Sequence, residues 1–159
     1  MGSVSRGFRR QPGPLSLRNA PAPMTPVFAD TFCWYGLSNP RDQWHPLVLE
    51  ARARLLGRRL VTTEEVLVEF LGAMASSPFL RAAAHRLVEA IKADPIIKLL
   101  PQSNQTFSSG VHLYQSRPDK RYSLVDCISM NTCRSEGISE VLTNDHHFEE
   151  EGFGILIKH

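Results

Sequence analysis

Short apolar runs alternate with longer amphipathic segments along the chain from residue 26 onward. The apolar runs have the length of buried strands and occupy residues 26–30, 58–63, 95–101, 138–143 and 154–158. The segments between them have helical spacing or helix-start signals and occupy residues 31–38, 44–57, 64–71, 77–94, 106–118 and 123–137. Strands that alternate with helices predict an α/β fold, with a parallel sheet covered by helices on both faces.

Two acidic residues follow predicted strands directly. Asp30 ends the first apolar run, and Asp145 comes two residues after the strand-like VLT. Asp126 lies in the first turns of the helix that starts near Ser123, and Glu69 lies in the helix that follows the second strand. Because the carboxyl ends of parallel strands meet at one edge of the sheet, we expect these four acids to lie at the same rim.

A cluster of four carboxylates needs a cation. Like charges repel and raise one another's pKa unless a positive charge compensates them. Oxygen ligands suit Mg²⁺ or Mn²⁺, and such a site can hold a phosphodiester and lower the pKa of an attacking water. Periodicity alone, however, does not select these four acids from the sixteen in the chain.

Composition limits the class of protein. A chain of 159 residues with 42% hydrophobic and 21% charged residues is long enough for one domain with a sizeable core. No run approaches the roughly 18 to 20 apolar residues that a membrane span requires. Three cysteines without CxxC spacing (Cys33, Cys127 and Cys133) argue against a disulfide framework or a cysteine-rich zinc site, and favour a reducing cytoplasm.

The positive charge of the chain is concentrated at its start. Residues 1–25 contain four arginines and no acid, whereas the remaining residues carry 14 basic and 16 acidic side chains. The net charge of +2 is therefore weak evidence for nucleic-acid binding. The segment is rich in Pro, Gly, Ser and Arg, which predicts a disordered basic leader; alternatively, Met24 is the true start.

Four segments in chain order share a pattern: VFADTFCWYGL, LVTTEEVLVEFL, YSLVDCISM and VLTNDHHFEEEGF. The positions that define it are Asp30-Thr31, Val61-Thr62-Thr63 with Glu69, Ser123 with Asp126, and Thr143 with Asp145, Phe148 and Gly152-Phe153. With these blocks the chain resembles the PIN-domain family, and within it the VapC-like group, over roughly residues 26–158. Any one block is weak evidence, but four in order at suitable spacing are specific.

The resemblance implies a three-layer α/β/α sandwich around a short parallel sheet, formed by residues 26–159, and divalent-metal-dependent cleavage of RNA. It assigns metal binding and catalysis to four acids: Asp30, Glu69, Asp126 and Asp145. The hydroxyl groups of Thr31, Ser123 and Thr143 would orient the carboxylates or the attacking water. The implied cofactor is Mg²⁺ or Mn²⁺.

The resemblance leaves three functions open. The leading hypothesis is the toxin of a type II toxin–antitoxin pair: a cytoplasmic homodimer that cleaves RNA, binds an antitoxin protein and has no contact with a membrane. The second is an RNA-processing nuclease of the same fold without an antitoxin. The third is a PIN module that binds RNA or protein without catalysis.

Each candidate residue has an alternative reading. Aspartates at helix starts often serve only as caps, and Glu64 and Glu65 compete with Glu69, although their place in the first turn favours a role at the helix dipole. Two adjacent histidines, His146 and His147, suggest zinc, but no matching ligand lies at useful spacing, so we interpret both as bystanders.

Two further surface features are open to interpretation. Residues 149–151 are three consecutive glutamates, which predict a solvated helix face. Trp34 and Tyr35 could stack on an RNA base, but packing between the first two helices is the preferred interpretation.

Overall fold

The structure, a computed structural model, describes residues 24–158. Within these residues the five strands are β1 (Val27–Ala29), β2 (Leu60–Thr63), β3 (Ile97–Leu100), β4 (Glu140–Leu142) and β5 (Gly154–Ile155). The helices of the same part of the chain are α1 (Thr31–Ser38), α2 (His45–Arg54), α3 (Glu64–Ala73), α4 (Pro78–Ala93), α5 (Asn104–Ser116), α6 (Leu124–Glu136) and α7 (His146–Glu150). The predicted leader lies almost wholly outside the described residues, so its disorder stays a prediction.

The strands form one parallel sheet in the order β3-β2-β1-β4-β5. Phe28 of β1 pairs with Val61 on one side and with Val141 on the other. All residues of β1 and β2 are buried, as expected for central strands covered on both faces. The parallel sheet and the alternation of strands and helices confirm the predicted α/β fold.

The winding of the chain reverses after β3. From β1 the chain moves outward to β2 and β3, and then returns across the sheet to β4 and β5. Because crossovers between parallel strands are right-handed, helices α1–α4 and α5–α7 lie on opposite faces. The reversal creates a switch point between β1 and β4, and ligands of open α/β sheets bind beyond the carboxyl ends of such strands.

Buried polar contacts hold the first helix on the sheet. Trp34 is 1% exposed, and its indole N–H donates to the hydroxyl of Thr62 at 3.1 Å. The Thr62 hydroxyl in turn donates to the backbone carbonyl of Ala29 at 2.8 Å. Burial of Trp34 argues against base stacking; the residue packs on β2, and its predicted packing between the first two helices stays a prediction.

The helix boundaries follow local capping. The Thr63 side chain accepts a hydrogen bond from the backbone N–H of Val66 at the start of α3, as the sequence predicts. Helix α5 begins at Asn104 rather than at residue 106, because Ser103 and Thr106 form a reciprocal capping box. Helix α6 ends at Gly137, whose φ of 66° is left-handed and favours glycine. No helix of residues 24–158 combines the length and the apolar character of a bilayer span.

Candidate active site

The four predicted acids lie at the switch point of the sheet. Asp30 directly follows β1, Asp145 lies three residues beyond β4, Glu69 lies on α3, and Asp126 lies in the first turn of α6. Burial has the largest effect on the pKa of both Asp30 and Asp126. In addition, the charges of Asp126 and Glu69 raise the pKa of Asp30, and the charges of Asp145 and Glu69 raise that of Asp126. All four therefore belong to one electrostatic cluster.

Asp30 is the most deeply buried member of the cluster. It is 5% exposed and stands at the N-cap position of α1, yet its side chain makes no capping hydrogen bond. One carboxylate oxygen, Oδ1, is buried and has no hydrogen-bond partner among residues 24–158. Burial, followed by the charge of Asp126, raises the pKa of Asp30 to about 7. The helix-cap alternative therefore does not account for this residue.

The buried hydroxyl of Thr143 connects the ends of the two central strands. It donates to Oδ2 of Asp30 at 3.1 Å and accepts a hydrogen bond from the backbone N–H of Asp145 at 3.1 Å. Thr143 has no solvent exposure. The residue thus fixes the position of the Asp30 carboxylate relative to the loop that carries Asp145.

The hydrogen bonds of Glu69 distinguish it from Glu64 and Glu65, the two other candidate glutamates of α3. The hydroxyl of Thr31 donates to the Glu69 carboxylate, which places this acid beside the start of α1. Glu64 instead accepts from the backbone N–H of Gln102 at 3.0 Å, and Glu65 accepts from the hydroxyl of Thr106 at 2.9 Å. The two rivals contact the start of α5 rather than the acidic cluster.

Asp126 both caps its helix and belongs to the cluster. Its Oδ2 accepts from the backbone N–H of Ser123 at 2.7 Å, and the Ser123 hydroxyl accepts from the backbone N–H of Asp126 at 3.0 Å. Burial, followed by the effect of nearby carboxylates, raises the pKa of Asp126 despite these hydrogen bonds. Asp126 therefore does cap its helix, and the same hydrogen bonds hold its carboxylate at the edge of the sheet where the acidic cluster lies.

His147 lies inside the cluster, contrary to the bystander interpretation. Its ring Nδ1 is 3.3 Å from Oδ1 of Asp145 and 4.0 Å from Oδ2 of Asp126. Ligand atoms of these three residues all lie within 4.8 Å of one another. The reason is the tight turn at the start of α7, where Oδ1 of Asp145 accepts from the backbone N–H of His147 at 2.9 Å. His146 has a side chain that is 78% exposed, and it contacts Glu149 instead.

The third glutamate of the acidic run is also not where the sequence predicts it. The side chain of Glu151 is 7% exposed and lies between Arg117 at 3.0 Å and Arg134 at 2.6 Å. The hydroxyl of Tyr122 donates to Glu150 at 3.0 Å and to Glu151 at 3.2 Å. The prediction of a solvated face is therefore wrong for Glu151, which ties the end of α7 to α6 and to the loop before it.

The comparisons with known proteins agree with this geometry. The PIN domain family matches residues 27–153, which include every strand except the last. The chain belongs to the PIN domain family. The fold of this PIN domain is similar to that of VapC20 from Mycobacterium tuberculosis, described in its crystal structure as a sarcin–ricin loop cleaving toxin.

The similarity to VapC20 is one of fold. The TM-score is 0.72 and the sequence identity is 22%, with coverage of 80% of this chain and 95% of the VapC20 chain. At this identity the likeness supports the architecture and does not transfer a substrate. No curated protein matches the chain in sequence.

The donor atoms of this PIN domain fit a divalent cation. The cluster offers carboxylate oxygens from four segments, one of which, Oδ1 of Asp30, is buried without a hydrogen-bond partner. A buried carboxylate without compensation is costly, and a cation is the group that would relieve the repulsion within the cluster. Ligand atoms of Asp126 and Asp145 lie close enough to contact one ion, and Asp30 and Glu69 are electrostatically coupled to Asp126.

Proposed function

We propose that this PIN domain is a divalent-metal-dependent endoribonuclease. One observation carries the proposal: four carboxylates converge at the switch point of the sheet, and the most buried one, Asp30, has an unpartnered oxygen and a pKa raised to about 7. A fold gains nothing in stability from such a cluster by itself. The arrangement is what a site for a hard dication and an anionic substrate requires.

In the proposed site, the acids and the hydroxyl residues have different roles. Asp30, Glu69, Asp126 and Asp145 would hold the metal and orient the attacking water. Thr143 and Thr31 fix the carboxylates of Asp30 and Glu69, and Ser123 fixes that of Asp126 through the start of α6. Because these supports are backbone contacts or side-chain contacts that are at least partly buried, they would hold the acids in place before substrate arrives.

The bound cation, Mg²⁺ or Mn²⁺, would polarise the scissile phosphate, lower the pKa of an attacking water and stabilise the leaving oxygen. The cluster is acidic and would repel RNA without compensation, so substrate binding and metal binding are coupled. No serine or cysteine nucleophile is needed. The three cysteines are in fact buried, and burial raises the pKa of each thiol.

We further propose that the protein is the toxin of a type II toxin–antitoxin pair, acting in the cytoplasm as a homodimer and bound by an antitoxin protein. The resemblance of the four blocks to VapC-like proteins and the shared fold with VapC20 support this setting. Because VapC20 cleaves the sarcin–ricin loop, a hairpin of that sequence is a suitable RNA to include among test substrates. Size-exclusion chromatography with light scattering tests the dimer.

Total RNA, incubated with the protein in the presence and absence of Mg²⁺ or Mn²⁺, provides the direct test. We expect cleavage at mapped sites that EDTA abolishes. Asp30→Asn should retain the fold by circular dichroism and lose cleavage, whereas Asp94→Asn, at the end of α4 away from the cluster, should retain both. Equal cleavage by wild type and Asp30→Asn would remove this carboxylate from the mechanism.

Two other functions make different predictions. An RNA-processing nuclease would show the same metal-dependent cleavage without a neighbouring reading frame for a short antitoxin. A non-catalytic binding module would bind RNA without cutting it. The convergence of all four acids favours an enzyme over the binding module.

A further inference from the structure

One nitrogen ligand lies among the oxygens of the acidic cluster. His147 Nδ1 is buried and forms no hydrogen bond, although it lies 3.3 Å from Oδ1 of Asp145 and 4.0 Å from Oδ2 of Asp126. In the tautomer with the proton on Nε2, Nδ1 presents a lone pair that no described residue occupies. The three ligand atoms lie within 4.8 Å of one another, a spacing that one ion can bridge.

Two neighbouring contacts fix the imidazole ring in this position. The backbone of His147 is held by the side chain of Asp145, and the ring packs edge-on against Tyr122, with 5.2 Å between the ring centroids. Tyr122 is itself 4% exposed and is anchored through its hydroxyl to Glu150 and Glu151. The ring therefore keeps its orientation without a hydrogen bond of its own.

A second, independent observation points to a ligand at this place. Asp30 is 5% exposed, its Oδ1 is buried without a partner, and its carboxylate is electrostatically coupled to Asp126. Two buried atoms, one oxygen and one nitrogen, thus have no hydrogen-bond partner among the described residues and belong to side chains that neighbour Asp126 in the cluster. A polar site that served only to stabilise the fold would satisfy these atoms internally.

We propose that His147 supplies a nitrogen ligand to the metal of this site, together with Asp126 and Asp145, and thereby gives the protein a preference for Mn²⁺ or another transition-metal ion over Mg²⁺. This inference rests on the proposed metal-dependent function and adds the identity of the metal. Imidazole nitrogen binds transition-metal ions well, whereas Mg²⁺ selects oxygen ligands and releases its waters reluctantly. A site with one nitrogen and several oxygen ligands therefore favours Mn²⁺ over Mg²⁺ more strongly than a site with oxygen ligands alone.

The experiment is spectroscopic and does not depend on RNA cleavage. Purified full-length protein is loaded with Mn²⁺, and pulsed electron paramagnetic resonance detects a ¹⁴N coupling when nitrogen binds the ion. Competition titration then gives the ratio of the Mg²⁺ and Mn²⁺ dissociation constants. The variant His147→Asp replaces nitrogen with oxygen, and His146→Asp is the matched control, because its side chain is 78% exposed and points to Glu149.

The expected result is a ¹⁴N coupling in wild type and in His146→Asp, and none in His147→Asp. We also expect His147→Asp to reduce the preference for Mn²⁺ over Mg²⁺ by roughly tenfold, the loss of one favourable ligand contact. If His147→Asp does not fold by circular dichroism, His147→Asn serves the same purpose without adding a charge.

Three outcomes are distinguishable. A bound Mn²⁺ without nitrogen coupling in wild type, or a coupling that survives in His147→Asp, overturns the role of His147 and leaves the nuclease proposal intact. An unchanged ion preference in the variant overturns the claim of selectivity. If wild type binds neither ion, this inference and the metal dependence of the proposed function fail together.

Discussion

Replacing Asp30 with asparagine should stabilise the metal-free protein while abolishing its proposed activity. The substitution keeps the size and shape of the side chain and removes a buried negative charge. Thr143 can still donate to the remaining oxygen, as it does to Oδ2 of Asp30 at 3.1 Å. The new amide group would occupy the side where Oδ1 of Asp30 has no hydrogen-bond partner among the described residues.

The magnitude follows from the pKa of Asp30, which rises from 3.8 to about 7 on folding. A shift of this size corresponds to about 4 kcal/mol of unfolding free energy. Because the folded protein binds the proton more tightly, the stability from this group is complete below pH 3.8 and is lost as the pH rises through about 7. The advantage of Asp30→Asn over wild type should therefore be up to about 4 kcal/mol at pH 8 and about 2 kcal/mol at pH 5.

Urea and thermal unfolding in EDTA, followed by circular dichroism at pH 5 and pH 8, provide the measurement. At pH 8 the gain corresponds to roughly 10 °C in the melting temperature of a chain of this size. Adding Mn²⁺ should then stabilise wild type far more than the variant, because only wild type retains the complete ligand set. A variant that is no more stable than wild type at pH 8, or a difference that does not change with pH, would refute the argument that this carboxylate is buried at a cost.

Other substitutions test the supports of the fold by urea unfolding. Gly110→Ala should destabilise by about 1–3 kcal/mol because its Cβ would lie 2.5 Å from a facing isoleucine, whereas Gly72→Ala meets no atom within 4 Å and should stabilise by up to about 1 kcal/mol. Thr62→Val should cost about 1–3 kcal/mol because it leaves the buried indole N–H of Trp34 without its acceptor. Burial raises the pKa of Glu151, but hydrogen bonds from two arginines outweigh this effect and lower it. Glu151→Gln should therefore cost about 1–2 kcal/mol near pH 7, after allowance for solvent screening, and this difference should disappear as the pH falls below 4.5.

The positions of the acids could be predicted because they depend on topology. Asp30 and Asp145 follow strands, and parallel strands bring their carboxyl ends to the same edge whatever lies between them. Asp126 and Glu69 could be placed at that edge only roughly, since both lie within helices. The four-block resemblance selected Glu69 over Glu64 and Glu65, and the contacts of these rivals with α5 explain why they are not part of the cluster.

Other features depend on contacts that no local pattern contains. The orientation of His147 depends on the five-residue helix α7, at whose start the Asp145 side chain accepts a hydrogen bond from the backbone N–H of His147. Glu151 looks solvated in the sequence because its two arginines lie 34 and 17 residues away. A signal for the histidine did exist, since it lies only two residues beyond a predicted ligand, but spacing alone does not tell which of two adjacent rings faces the site.

In the proposed nuclease, helix capping and metal binding are compatible roles for the same carboxylates. The carboxylates of Asp126 and Asp145 accept backbone N–H groups at the starts of α6 and α7, and these bonds fix their orientation. Each carboxylate retains lone pairs after making such a bond, so the cap does not exhaust its capacity as a ligand. Asp30 stands at a helix start without a capping bond and carries the largest electrostatic cost of the three. On the proposed function, Asp126 and Asp145 would hold the geometry of the site through their capping bonds, and the buried charge of Asp30 would favour binding of a cation. A substitution that removes the unfavourable burial of the Asp30 charge should therefore raise the free energy of unfolding without metal. The same substitution should lower the affinity of the site for its metal.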